Sequence, residues 1–132
     1  QSCSDRIIRQ LKLNREIELF KDVFYTPIYG KYLLKYIFAL VDNKSSGIFN
    51  ICSDERITKY QFGTKLCKVF KLNNKLLKKI NLKDKKELVK RPLNMALNNN
   101  KLKKVLGKKI PSIDYQLKIM RNDFKKLKND SI

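Results

Sequence analysis

Apolar residues along this chain fall mostly at helical spacing, with two stretches that break the period. Ile7, Ile8 and Leu11 recur on one side of residues 2–13 while Arg6, Arg9 and Lys12 take the other, which predicts an amphipathic helix. Glu16-Ile17-Glu18-Leu19-Phe20 switches to a period of two and predicts a short strand with one buried face. Thr26 and Pro27 then read as the N-cap and first position of a second helix. A threonine hydroxyl can accept an orphan N–H, and proline lacks a donor where none is needed. The predicted inward residues of that helix are Leu33, Leu34, Ile37, Phe38 and Val41, and Asp42-Asn43-Lys44-Ser45-Ser46-Gly47 ends it.

Gly47-Ile48-Phe49-Asn50-Ile51-Cys52 is a near-continuous apolar run between turn residues, with Asn50 as its one polar interruption. It predicts a buried strand of the kind found in parallel sheets, covered on both faces. Thr58-Lys59-Tyr60-Gln61 is a capping box opening a helix whose inner face is Phe62, Leu66, Val69 and Phe70. Residues 76–82 fit either a strand or a helix, and Arg91-Pro92 breaks the chain. Asn98 or Asn99 caps a short helix through Leu102, Val105 and Leu106, which Gly107 closes in the left-handed region. Pro111-Ser112 opens a last helix with Ile113, Leu117, Met120, Phe124 and Leu127 inward, and residues 128–132 are expected to fray. With no internal repeat and no long linker, residues 1–132 are expected to form a single domain.

Composition narrows the chemistry. The 132 residues hold 31 Lys and Arg against 12 Asp and Glu, no His, and four glycines. Lacking His, the chain excludes a Ser-His-Asp triad, a His-activated cysteine and any His-bearing zinc site. Cys3, Cys52 and Cys67 are far apart, so neither a thiolate metal cluster nor a disulfide framework is encoded, and they read as reduced, core-filling residues of a cytoplasmic protein. The nearest two glycines, Gly47 and Gly63, are 16 residues apart. They cannot build a phosphate-cradling G-x-G-x-x-G or Walker loop. No apolar run approaches the ~20 residues of a membrane span. The chain opens at Gln1 rather than Met, which reads as processing or as a piece of something longer.

The net charge of +19 sits mostly in the second half: residues 1–66 carry a net +4 and residues 67–132 a net +15. A basic half is the electrostatic footprint of a nucleic-acid partner, and residues 58–80 can be parsed as a helix–turn–helix with Lys75, Lys78 and Lys79 on the second helix. A basic helix-turn-helix-like nucleic-acid-binding module is therefore one reading. Yet 25 of the 31 basic residues are Lys, and phosphate or base readers lean on the planar fork of Arg. A solvated Lys surface is the other reading, and so is a stand-alone interaction domain with no ligand.

Three places offer chemistry. Asp54-Glu55 is an acidic pair with Arg56 as its nearest partner, which fits a solvated turn. Asp22-Val23-Phe24-Tyr25-Thr26-Pro27 sets aromatic surface beside a predicted helix N-terminus, where N–H groups favour an anion; Phe24 and Tyr25 equally fit a cover for a core edge. Arg91, fixed before a proline, suits a bidentate grip on a diphosphate, or an ordinary surface ion pair.

Taken in order, Phe20-Lys21-Asp22-Val23-Phe24-Tyr25-Thr26-Pro27, Ile37-Phe38-Ala39-Leu40, Gly47-Ile48-Phe49-Asn50-Ile51, Thr58-Lys59-Tyr60-Gln61-Phe62, Lys90-Arg91-Pro92-Leu93-Asn94 and Gly107 form a series. That series resembles the C-terminal part of the dTDP-4-dehydrorhamnose reductase family. More broadly, it is similar to the extended short-chain dehydrogenase/reductases acting on nucleotide sugars. The resemblance runs from about Cys3 to Phe124. It implies an α/β fold: a mostly helical substrate-binding domain with a few short strands, the C-terminal part of a Rossmann-type nucleotide-sugar reductase. It further implies a role in deoxysugar (rhamnose) biosynthesis, with a dTDP-linked hexose as ligand.

In the family, an N-terminal Rossmann half carries the cofactor loop and a catalytic Tyr-x-x-x-Lys. None of Tyr25, Tyr29, Tyr32, Tyr36, Tyr60 and Tyr115 has Lys four residues on. The resemblance thus implies a fragment that is not catalytic alone, with no catalytic residue, metal ligand or cofactor contact of its own. NADPH or NADH would belong to the full-length enzyme. Asp22, Tyr25, Thr26, Pro27 and Arg91 are the implied substrate-binding residues; Asp22, Thr26 and Pro27 match a loop near the substrate, and Arg91-Pro92 matches a motif on the diphosphate side. Ile28 replaces a common Thr, and Phe49 and Asn50 replace the family's Tyr-His, which leaves reductase and epimerase both open. The missing Rossmann half is the implied partner. Apolar surface along residues 48–51, cut off from its sheet, also favours a homo-oligomer.

Overall fold

The computed structural model describes residues 2–85 and 92–130. Its elements are α1 (Cys3–Lys12), β1 (Ile17–Phe20), β2 (Phe24–Tyr25), α2 (Gly30–Asp42), β3 (Ile57–Thr58), α3 (Lys59–Phe70), β4 (Leu77–Ile80), α4 (Asn100–Leu106) and α5 (Ile113–Asp130), with 3₁₀ turns at Asn74–Leu76 and Leu82–Asp84. Helix dominates and the strands are short, as expected of the mostly helical α/β class. The chain forms two compact units, one from Gln1–Tyr25 with Ile57–Met95 and the other from Thr26–Arg56 with Ala96–Ile132.

In the first unit, α1 starts with a full capping box. The Ser2 hydroxyl accepts from the Asp5 N–H, and the Asp5 carboxylate accepts from the Ser2 N–H. Ile7, Ile8 and Leu11 are buried, as their spacing predicts. β1 and β4 pair in parallel, Ile17 opposite Leu77 and Phe20 opposite Ile80. That settles residues 76–82 in favour of a strand and removes the helix–turn–helix parse, because Lys78 and Lys79 stand on β4 and not on a recognition helix. α3 begins at the predicted Thr58–Gln61 capping box and packs on α1, β1 and β4. It meets β1 at Gly63, where a Cβ would run into the Leu19 side chain. β2 and β3 add an antiparallel pair, Phe24 with Thr58 and Tyr25 with Ile57.

The second unit corrects several expectations. Thr26 does not cap α2, which starts at Gly30 with Tyr29 in the N-cap position and no side-chain cap. The Tyr29 N–H donates instead to Gln116 Oε1 at 2.9 Å, so a distant amide replaces the local cap. α2 also turns a different face inward. Tyr32 and Tyr36, one turn apart, are buried with Leu102 and Ile110. Leu34, Ile37, Phe38 and Val41 are exposed, with Phe38 63% and Val41 66% accessible. The helix is apolar on two sides, and the large tyrosine rings fill the space that the unit offers.

The run 47–52 is irregular and belongs to no sheet, which overturns the expected buried strand. A parallel strand needs a neighbouring strand, and among the described residues this unit has none. Phe49 and Ile51 still pack inward, whereas Ile48 is 86% exposed. Asn50 donates to the Asn98 carbonyl at 3.0 Å, which accounts for a polar residue in the run.

α4 ends as predicted at Gly107, with φ +61°. In α5, Ile113, Leu117 and Met120 are buried, but Leu127 is exposed; the helix runs through Asp130, and the last two residues expected to fray lie outside the described residues. Cys52 and Cys67 are buried and Cys3 is half-buried.

Candidate functional site

In the first unit, the carboxyl ends of the parallel strands β1 and β4 lie side by side. Crevices at such ends are where open α/β sheets bind ligands. Asp22, just past β1, accepts the Leu82 N–H with both carboxylate oxygens, at 3.0 and 3.1 Å. It thereby ties together the two chain segments that leave the strands. Phe20, Val23, Lys59, Leu82, Pro92 and Met95 line a cavity of about 110 Å³ there.

Lys59 reaches it from the first turn of α3, and its Nζ lies 3.6 Å from the centre of the Tyr25 ring. That cation–π contact offsets an unfavourable positive charge at a helix N-terminus. Burial pulls the Lys59 ammonium below its ordinary pKa, the Arg6 charge adds to that, and Cys3 opposes it. The Tyr25 ring also meets Phe62 edge-on at 5.9 Å, and its hydroxyl is buried with no hydrogen-bond partner among the described residues. Burial first, and Cys3 second, push that hydroxyl far above its ordinary pKa.

The second unit holds a larger and more polar cavity of about 260 Å³, lined by Thr26, Ser53, Asp54, Arg56, residues 96–100 and Lys103. The Thr26 hydroxyl accepts from the Leu97 N–H at 3.2 Å. Asn99, the N-cap residue of α4, makes no cap bond with its side chain. Its amide nitrogen donates instead to the Cys52 carbonyl at 2.9 Å and to Asp54 Oδ1 at 2.7 Å. Lys103 Nζ stands 3.1 Å from the same oxygen. Partial burial alone would raise the Asp54 pKa, but the Asn99 and Lys103 contacts outweigh it and hold the carboxyl below its ordinary value. Asp54 is exposed, as a solvated turn would have it, but both carboxylates also have partners: Asp54 contacts Asn99 and Lys103, and Glu55 accepts the Ile113 N–H at the start of α5 at 2.8 Å.

Of the residues expected at the substrate, Asp22 and Tyr25 thus belong to the first unit, and Thr26 and Pro27 to the second. Arg91 lies outside the described residues, while its neighbour Pro92 lines the cavity at the strand ends. Sequence reasoning passed over Lys59, Asn99 and Lys103. For Asn99 a signal was present, since two asparagines stand before a helix where capping needs one.

The residues present do not fit the diphosphate of a dinucleotide cofactor. Gly63 is packed against Leu19, while Gly47 and Gly107 adopt positive φ of +100° and +61° far apart in the sequence, leaving no glycine cradle among the described residues. Among those residues no helix is long and apolar enough to cross a membrane.

Several solved structures share this fold. The dTDP-4-dehydrorhamnose reductase of Bacillus anthracis, solved in complex with NADP, superposes with a TM-score of 0.82 at 18% identity, over 93% of this chain and 43% of that one. The Clostridium acetobutylicum dTDP-4-dehydrorhamnose reductase gives 0.82 at 17% identity, over 95% and 44%. The UDP-N-acetylglucosamine 4-epimerase of Bacillus cereus gives 0.62 at 21% identity, over 89% and 38%. The chain thus spans less than half the length of each. No curated protein sequence matches it. Residues 1–126 match the family described as the RmlD substrate binding domain, and the chain belongs to that family.

Proposed function

We propose that this chain is the substrate-binding portion of an NAD(P)H-dependent nucleotide-sugar reductase, similar in role to dTDP-4-dehydrorhamnose reductase and active in cytoplasmic deoxysugar (rhamnose) biosynthesis. The family match over residues 1–126 is the observation that carries this reading. Its ligand would be a dTDP-linked hexose, with Asp22, Tyr25, Thr26, Pro27 and Arg91 around it, and residues 1–132 would act as one functional domain. The catalytic Tyr-x-x-x-Lys and the glycine-rich cofactor loop would come from an N-terminal Rossmann half, since this chain offers neither.

Two features support such a partner. The apolar face of α2 (Leu34, Ile37, Phe38, Val41) is exposed, and the run 47–52, with Ile48 86% exposed, has no strand neighbour among the described residues. A Rossmann sheet supplies both an apolar surface and a strand edge. Without it, the same surface would drive the isolated chain to associate with itself.

The test is the coding sequence upstream of Gln1 together with its product. It should encode a glycine-rich strand–turn–helix and a Tyr-x-x-x-Lys, and the longer protein should oxidise NADPH or NADH in the presence of dTDP-4-dehydrorhamnose. An upstream region lacking both motifs, or a longer protein with no such oxidation, would refute the proposal. The isolated chain should bind neither nicotinamide cofactor, and micromolar affinity for one by calorimetry would overturn the domain assignment.

A further inference from the structure

Several lysines of this chain spend their charge on carboxylates, in the first unit Lys78 on Glu16 and Lys85 on Glu18. Lys59 does not. Among the described residues its half-buried side chain has no ion pair and no hydrogen bond from Nζ, which stands over the Tyr25 ring at 3.6 Å from its centre. It occupies the first position of α3, a helix with no acidic residue in its first turn. A cation there opposes the helix dipole, whereas an anion is favoured. Arg6 on α1 repels the same ammonium, so burial and Arg6 both favour the neutral amine, and Cys3 acts against them. Asp22, on the segment leaving β1, turns both carboxylate oxygens to the Leu82 N–H.

The cavity at the ends of β1 and β4 sets what this amine can take. Apart from Lys59, every side chain lining it is apolar. Its volume of about 110 Å³ compares with about 30 Å³ for one water, so a group of a few atoms fits on Nζ. A small apolar space admits a small neutral electrophile, and carbon dioxide is one that turns an amine into an anion. The Tyr25 hydroxyl, on the ring beneath Nζ, is a buried donor with no partner among the described residues, and a new oxygen on Nζ would give it one. We infer that Lys59 is a carbamylation site, its amine taking up carbon dioxide in this cavity and the carbamate being held by the Tyr25 hydroxyl and the Arg6 charge. The Nζ lone pair attacks the carbon, the N–C bond forms, and one C=O π pair moves onto oxygen. Nζ then releases a proton to solvent, and nothing is oxidised or reduced. A positive charge at the start of α3 becomes a negative one, the sign that the helix end favours.

The test is carbon-13 NMR of the 132-residue chain under labelled bicarbonate at mildly alkaline pH, with alkyl-oxonium trapping and peptide mapping to locate the adduct. A carbamate carbonyl resonance should appear apart from bicarbonate and carbon dioxide, map to Lys59, and vanish on acidification as the nitrogen is protonated. Lys59→Arg keeps the charge and an apolar stem but offers no nucleophilic amine, so it should abolish the resonance. Tyr25→Phe should lower its occupancy about tenfold, the loss of one charge-assisted hydrogen bond. Should Lys59→Arg fail to fold, the peptide mapping on the original chain decides by itself. The inference is overturned if no carbamate forms on Lys59, if the resonance survives in folded Lys59→Arg and so belongs to another amine, or if Tyr25→Phe carries the adduct at the original level. The site does not rest on the nucleotide-sugar reading, and that reading stands or falls separately.

Discussion

Gln116 joins three segments of the second unit, and replacing it with leucine isolates what that junction is worth. The side chain is 2% exposed. Its Oε1 accepts the Tyr29 N–H at 2.9 Å, and its Nε2 donates to the Ser53 hydroxyl and to the Pro111 carbonyl, both at 2.8 Å. Gln116→Leu keeps the approximate volume and removes all three bonds. Ser53 is 1% exposed, and the Tyr29 N–H is the one that starts α2. Leaving two such groups unpaired costs about 1–3 kcal/mol each, and burying a leucine returns roughly 1.5–3 kcal/mol. The two ranges nearly cancel at one extreme and leave a loss of about 4 kcal/mol at the other, so the central expectation is a loss of about 2 kcal/mol against a typical stability of about 5–15 kcal/mol. Urea unfolding followed by circular dichroism should show a lower midpoint with an unchanged m-value, and hydrogen exchange should accelerate at the Tyr29 amide. An unchanged midpoint together with a still-protected Tyr29 amide would show that the buried amide does not hold these segments.

Tyr25→Phe should be neutral or stabilising by up to about 1 kcal/mol at pH 7, because it deletes a buried hydroxyl without a partner; a loss of more than that in thermal or urea unfolding contradicts the burial. The same residue sets an alkaline limit. The unfolded chain releases the Tyr25 proton near pH 10 while the folded chain keeps it, so stability falls above pH 10 with a slope of up to about 1.4 kcal/mol per pH unit from this group. An identical slope in Tyr25→Phe would be inconsistent with that assignment. Replacing both Phe38 and Val41 by Glu should reduce self-association of the isolated chain in sedimentation velocity without lowering its stability, since both side chains are exposed; unchanged association would clear α2 of that role. In the longer enzyme we propose, Arg91→Ala should raise KM for the nucleotide sugar about 10- to 100-fold with little change in kcat, the loss of a bidentate contact to a diphosphate. An unchanged KM returns Arg91 to a surface ion pair.

How far the chain could be read in advance depended on whether local chemistry or a distant partner decides each element. The Thr58–Gln61 capping box, the Ile7-Ile8-Leu11 stripe and the Gly107 helix end are settled within a few residues, and they stand as predicted. Thr26 failed as a cap because the Leu97 N–H, 71 residues away, claims its hydroxyl, while Gln116 supplies what the start of α2 needs. Asp22, Tyr25 and Thr26 were legible as a candidate loop from residue type and order, and whether they meet substrate belongs to the proposal. Lys59, Asn99 and Lys103 were not, since a Lys at a helix start and an Asn at a cap have ordinary uses until their partners are known.

The sequence by itself determined the places of most helices, the exclusion of His-based and glycine-loop chemistry, and, through the order of its weak motifs, the family. Periodicity, capping and composition are properties of short windows, and motif order survives where each motif alone is weak. Only the tertiary structure decided which face of α2 is buried, that residues 47–52 stay outside any sheet, and that the exposed Asp54 carboxylate is held by α4. Each of those depends on what lies opposite in space. An apolar stripe, an apolar run and an acidic residue are equally compatible with burial and exposure until the opposing surface is known.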